Sequence, residues 1–195
     1  MLTNRQLFLA HQAQTTNFPL LLEVASADGV YLTAPDGKKY LDFISGISVS
    51  SLGHGNQAVK DAIKNQVDQY MHLMVYGEYI QSPQVTLAKK ISDQLPQNLS
   101  AVYFVNSGSE AIEGALKLAK RFTGRTEIIS FKNAYHGSSH GSLSIMGNEE
   151  FKNAFRPLLP DTNLIEYNAV SSFSHITERT ACVVVETIQG EAGAV

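Results

Sequence analysis

From Leu21 to Ile44 the chain sets short runs rich in β-branched and aromatic residues around two turn signals, Asp28-Gly29 and Pro35-Asp36-Gly37. Such runs between glycine- and proline-bearing turns predict a small antiparallel strand pair or meander. From Gln57 the apolar period changes. Val59, Ile63, Val67 and Tyr70 recur at helical spacing and predict a helix with that face inward. A second helix is predicted after Pro83, with Leu87, Ala88, Ile91 and Leu95 inward and Pro96 closing it. Strands and helices then alternate. A strand from Val102 to Val105 precedes a helix running to Phe122, with Gly124 as its C-cap. A strand from Glu127 to Phe131 leads into a Gly/Ser/His-rich loop, and two further strands are predicted at Leu164 to Tyr167 and Cys182 to Val185. Alternation of this kind predicts an α/β fold, a three-layer, mostly parallel sheet with helices on both faces, preceded by the small antiparallel β segment. The expected division is residues 1–45 for that segment and 46–195 for the α/β part.

Ligands on such sheets sit beyond the strand C-termini. Beyond the ends of the predicted strands stand "NSGSE", "KNAYHGSSHG" and "ETIQGEAG", three polar, glycine-bearing segments that would meet at one crevice. In the first, Ser107, Gly108 and Ser109 leave helix-start amides uncovered, and such amides lack internal partners and favour an anion. Ser107 and Glu110 also fit the S-x-x-E spacing of a capping box, which needs no ligand, and the stretch alone leaves both readings open. The second segment offers the flat ring of Tyr135 for stacking, and the third two carboxylates, Glu186 and Glu191. A phosphorylated aromatic ring with ionisable edges suits all three.

Composition narrows the partners. The 195 residues carry a net charge of −3, with 17% charged and 44% hydrophobic residues, which excludes a disordered tail and a strongly basic nucleic-acid surface. A small-molecule partner is expected. The single cysteine, Cys182, lies in the apolar run "ACVVVE" and reads as a core residue in a reducing compartment. "MLTNRQLFLA" is too short in apolar residues for a secretory signal, and no run approaches the roughly 20 of a membrane span, so a cytoplasmic protein without membrane contact is expected. His136 and His140 stand four apart, as two metal ligands on a helical turn would. Gly137 and Gly141 disfavour that helix and no third ligand is near, so no metal is expected. "NSGSEAIEG" lacks the G-x-G-x-x-G spacing of a dinucleotide site.

"NSGSEAIEGALKLAKR", "NAYHG" and "VVVETIQGEAG", with "YLTAPDGKKYLDFISGISVSSLGHGN" ahead of them, resemble the N-terminal half of a class III pyridoxal-phosphate aminotransferase of the acetylornithine/ornithine/4-aminobutyrate type. The resemblance implies the large domain of the type I fold, incomplete at its C-terminal end, and pyridoxal 5'-phosphate as cofactor. It implies that Ser107, Gly108 and Ser109 bind the cofactor phosphate, that Tyr135 stacks on the pyridine ring, and that His136 shapes the site. Glu186 matches a carboxylate near the cofactor, and Glu191 a glutamate that pairs with an arginine receiving the second substrate's carboxylate. Family members are homodimers, so a homodimer is expected of the complete protein.

The pattern also departs from the family. The chemistry needs a lysine to form a Schiff base with the cofactor and move a proton, and in the family that lysine lies downstream of the QGE segment. The aspartate for the pyridine nitrogen and the arginine partner of Glu191 lie downstream too. Lys132, at a strand end, has no precedent in that role. The chain is therefore expected to be inactive alone, with apolar faces uncovered, and active within a longer protein. Ser138 stands where an arginine usually grips a substrate carboxylate, Ile47 where ornithine enzymes carry tyrosine, and Asn56 and Gln57 replace a histidine and a proline. The expected reaction moves an amino group from an amine or ω-amino acid donor to a 2-oxo acid acceptor. A catalytically silent cofactor-binding or interaction chain, and an aminomutase on the same fold, are the alternatives.

Overall fold

The computed structural model describes residues 2–74 and 77–195. They gather into two units, Met1–Gln81 and Ser82–Val195, and residue 45 lies inside the first.

In the first unit Thr3 opens α1 (Asn4–His11) with a reciprocal capping box: Gln6 N donates to Thr3 Oγ1 at 3.2 Å and Thr3 N to Gln6 Oε1 at 2.8 Å. The predicted meander comes next as β1 (Ser26–Asp28), β2 (Tyr31–Thr33) and β3 (Lys39–Leu41), antiparallel in that order, with Asp28 opposite Tyr31 and Tyr31 opposite Leu41. Beyond β3 a single turn, α2 (Ser45–Ser48), runs through left-handed φ values of 50°, 62°, 63° and 62°. Asp42 holds its entrance. One carboxylate oxygen accepts from Ile44 N (3.1 Å) and Ser45 N (2.9 Å), and the other meets His54 Nε2 at 2.7 Å. The backbone bond from Ser45 and the His54 ring hold this carboxyl below the usual aspartate range. Asn56 caps α3 (Gln57–Gln69), accepting from Val59 N at 3.3 Å. The predicted helix is there, but the face read as inward is not buried: Val59, Ile63 and Val67 are 43%, 59% and 52% exposed. Period fixes which residues share a stripe, and only tertiary neighbours decide whether it is covered.

The second unit begins with α4 (Ser82–Ser92), whose Leu87 and Ile91 are likewise exposed. Helix α5 (Gly108–Thr123) runs from an extended Ser107 N-cap to Gly124, whose φ of 68° and N–H bond to Lys120 O (2.9 Å) make the expected left-handed C-cap. After it come β4 (Glu127–Phe131), α6 (His140–Ser144), β5 (Thr162–Ile165) and β6 (Thr180–Val183). The three strands are parallel in the order β5-β4-β6. Every residue of β4 is buried, as a central strand flanked on both edges and both faces requires. Ile128 packs with Leu116 and Ile112 of α5, Ile145, Cys182 and Val184 on one face. Ile129 and Phe131 pack with Ala134, Ile165 and Tyr167 on the other. The alternation of neighbouring isoleucines between the two clusters is the two-residue period of the strand.

Three expectations change. Val102 to Val105 is not hydrogen-bonded as a strand and joins neither sheet among the described residues; Tyr103 and Phe104 stay exposed. The last two strands begin at Thr162 and Thr180 rather than Leu164 and Cys182, because pairing with β4 sets Ile128 opposite Thr162 and Glu127 opposite Thr180. Helix α5 covers one sheet face, whereas the other core cluster is closed by Ala134 and Tyr167 rather than by a helix.

Candidate active site

The turn Asn106 to Ser109 opens α5. Ser107 Oγ accepts from Glu110 N at 3.2 Å, so the cap forms as its sequence predicts. The return half of the box does not: Glu110 turns to Asn106, accepting from its backbone N at 2.7 Å and its Nδ2 at 3.2 Å. Its acid thus ties down the residue before the cap, while the N–H groups of Gly108 and Ser109, first in the helix, have no acceptor within it.

The loop after β4 lies against this turn. Ser138 N donates to Ser109 Oγ at 3.3 Å. Gly137, at φ 117°, passes so close that a Cβ there would stand 2.2 Å from Ser109 Oγ. Only glycine permits both that backbone conformation and that approach. His136 is buried, its Nε2 3.1 Å from Ser130 Oγ. Burial pushes its pKa down, and the charge of Glu186 opposes without reversing this, so the ring is neutral at pH 7. Tyr135 is 44% exposed and meets Phe151 edge-on, ring centroids 6.3 Å apart. Its backbone N donates to Glu186 Oε2 at 3.1 Å.

That last bond brings in the segment after β6. Tyr167 Oη donates to the carbonyls of Glu186 (3.0 Å) and Thr187 (3.1 Å), and Gln189 Nε2 donates to Lys132 O at 2.9 Å. All three polar segments are therefore joined by named bonds: Ser109 with Ser138, Tyr135 with Glu186, Lys132 with Gln189. Ser107, Gly108, Ser109, Tyr135, His136, Ser138 and Glu186 come together here. Glu191 is exposed in the turn beyond Gln189. Ile47, 83% exposed, belongs to α2 of the first unit. Lys132 is half-exposed and pairs with Glu166, which engages its amine away from the role weighed for it.

Three residues that local patterns do not flag also shape the site. Gln189 is 2% exposed, a buried polar group inside "TIQGEAG". Gly147 lies where a Cβ would stand 2.3 Å from Asn133 N and 2.4 Å from Ala134 N. Glu113, on the second turn of α5, receives Ser139 Oγ (2.6 Å), Gly141 N (2.7 Å) and Ser142 N (3.1 Å) on one oxygen. Burial raises its pKa, but the hydrogen bonds from Ser139, Ser142 and Gly141 and the nearby His140 outweigh this and hold it below the usual glutamate range. A polar residue between Ile112 and Gly114 on an otherwise amphipathic helix was the only sequence signal for it.

Helix-start amides with two serine hydroxyls, an accessible aromatic ring and a fixed carboxylate form a donor and acceptor set that fits a phosphorylated aromatic cofactor. The aminotransferase class-III family model matches residues 11–195. The acetylornithine aminotransferase of Methanopyrus kandleri is 37% identical over 184 residues, 94% of this chain and 46% of that protein. That of Bacillus subtilis is 40% identical over 174 residues, 88% of this chain and 44% of that protein. The chain thus spans less than half the length of either. Among solved structures, the adenosylmethionine-8-amino-7-oxononanoate aminotransferase of Methanocaldococcus jannaschii superposes with a TM-score of 0.86 at 30% identity, covering 95% of this chain and 47% of that one. The fold is accordingly the α/β fold of these transaminases.

Proposed function

Because the chain belongs to the class-III aminotransferase family, whose cofactor is pyridoxal 5'-phosphate, we propose that the crevice beyond β4 and β6 binds that cofactor. The complete protein would transfer an amino group from an amine or ω-amino acid to a 2-oxo acid. The observation that carries this reading is the joining of the phosphate turn, the Tyr135 loop and the Glu186 segment by the Ser109–Ser138 and Tyr135–Glu186 bonds.

When bound, the cofactor supplies an aldehyde carbon to carry the amino group and a ring to take up electrons. Around it, each residue has a separate task. The N–H groups of Gly108 and Ser109 and the hydroxyls of Ser107 and Ser109 would donate to the phosphate; both hydroxyl oxygens accept from backbone and each keeps its own proton to donate. Hydrogen bonds of that kind to a charged group contribute about 1.5–3 kcal/mol each. Tyr135 stacks on the ring, contributing roughly 0.5–1.5 kcal/mol beyond the area it buries. Glu186 accepts from Tyr135 N, which holds the carboxylate beside the ring and the tyrosine in its orientation. His136, neutral and fixed on Ser130, fills the space behind the loop without moving a proton. The lysine that would form the Schiff base and move the proton has no match among these residues and would come from the complete protein.

The donor's chemistry is the finer question. The Methanopyrus and Bacillus relatives bear the name of acetylornithine enzymes, whereas the Methanocaldococcus protein is named for another amino donor and acceptor pair. Ser138 supplies no charge for a donor carboxylate, so donors that lack a carboxylate at that end are favoured over N-acetylornithine. The test is to incubate the full-length protein with the cofactor, 2-oxoglutarate and, in turn, N-acetylornithine, ornithine, 4-aminobutyrate and a simple diamine. Glutamate formed with one or more of them supports the reading. No glutamate with any of these donors, and no alanine when pyruvate replaces 2-oxoglutarate, from a protein that binds the cofactor, would refute it.

A further inference from the structure

We propose that Glu113 is a positioning residue for the cofactor: it clamps the loop that carries Tyr135 onto the helix that receives the phosphate. The inference rests on the cofactor site proposed above. Glu113 of α5 bonds to the start of α6. Helix α6 has Ser139 as N-cap, yet the Ser139 side chain caps nothing within its own helix. Its hydroxyl donates across to Glu113 at 2.6 Å, and the orphan N–H groups of Gly141 and Ser142 donate to the same oxygen at 2.7 and 3.1 Å. Glu113 therefore does from α5 what a local cap normally does.

Contact is close enough to fix position, not only to satisfy donors. A Cβ on Gly141 would stand 2.2 Å from Glu113 Oε2 and 2.8 Å from its Cδ, so the carboxylate occupies the space that a side chain at 141 would need. The loop is thus held to α5 at successive turns, by Ser109 on Ser138 N in the first and by Glu113 on residues 139–142 in the second. Tyr135 to Ser138 are suspended between these ties and the bond to Glu186. Releasing Glu113 frees the far end of that loop without substituting any residue that would touch the cofactor. The effect should therefore appear in cofactor orientation and affinity, not in stability alone.

The experiment compares Glu113→Ala and Glu113→Gln in the full-length protein. The readouts are the cofactor dissociation constant of the apoprotein, the visible circular dichroism per bound cofactor, and the apoprotein melting temperature. Glutamine keeps an oxygen where all three donors converge, so it should stay within about threefold of wild type in affinity and preserve the dichroism. Alanine should weaken binding about tenfold or more and diminish the dichroism, measured at temperatures where the apoprotein is folded. Should the alanine variant not fold, Ser139→Ala removes one of the three donors and should weaken binding by about threefold. Unchanged affinity and dichroism in a folded alanine variant, or in Ser139→Ala where that variant is needed, would overturn the proposal. Tyr135→Ala separates the two failures. If it weakens binding while Glu113→Ala does not, the clamp alone is wrong; if neither does, the site is wrong and the clamp with it.

Discussion

Replacing Gly137 by alanine puts the central contact of the site to a direct test. At φ 117° an L-residue is strained by about 1–3 kcal/mol. The new Cβ would also stand 2.2 Å from Ser109 Oγ, 3.0 Å from Ser109 Cβ and 3.0 Å from Ser142 Oγ. Ordinary carbon contacts lie near 3.5–4.0 Å, so Ser109 must move by roughly 1 Å. It then gives up its bond to Ser138 N, about 0.5–1.5 kcal/mol. The sum is roughly 1.5–4.5 kcal/mol, divided between folding and cofactor binding, and each 1.4 kcal/mol that falls on binding is tenfold in affinity. We expect Gly137→Ala to weaken cofactor binding about tenfold to a hundredfold, read by titrating the full-length apoprotein and following the cofactor's absorbance. Gly108→Ala is the control for the fold. A Cβ there meets nothing within 4 Å, so the apoprotein should be about as stable as wild type. Wild-type affinity and wild-type melting temperature in Gly137→Ala would refute the geometry of the Ser109 contact.

Three more outcomes are expected from the same structure. Ser107→Asp keeps a good N-cap and should leave the apoprotein folded, but it sets like charge beside the phosphate and should weaken cofactor retention about tenfold or more; unchanged retention after dialysis would sink the phosphate assignment. Gly147→Ala would drive a Cβ to 2.3–2.5 Å from Asn133 N, Ala134 N and Phe131 O, all backbone, so a loss of more than about 3 kcal/mol in urea unfolding is expected, and a loss under about 1 kcal/mol would contradict the packing of that turn. His136 has its pKa depressed by burial below the ordinary 6.5, so the folded state binds fewer protons than the unfolded one. Its contribution to stability is full above about pH 6.5 and is lost as pH falls through the lower folded value. Unfolding midpoints at pH 7.5 and 5.5 should thus lie closer together in His136→Asn than in wild type, and an unaltered difference would show that the ring is not buried neutral.

The sequence by itself determined those features that short-range chemistry can fix. The Ser107 cap and Gly124 terminator bound α5 because each acts within a turn of its own helix. The bounds of β4 and the meander come from short apolar runs and turn residues, and the three polar segments were readable as candidate walls of one crevice. Tertiary structure decided whatever depends on partners far along the chain. Pairing with β4 moved β5 and β6 two residues earlier than their apolar runs suggest, because register is a property of two strands and not of one. Val102 to Val105 has a strand's composition but pairs with neither sheet among the described residues. The stripes of α3 and α4 have the right period and stay exposed. Glu110 left its expected cap partner for Asn106, a choice between two nearby amides that spacing alone does not settle. Glu113, Gln189 and Gly147 were silent because their chemistry is remote: Gln189 reaches a carbonyl 57 residues away, and Glu113 donors 26 to 29 residues on. A buried donor or acceptor must find a partner wherever the closed fold supplies one, and no local period encodes which it will be.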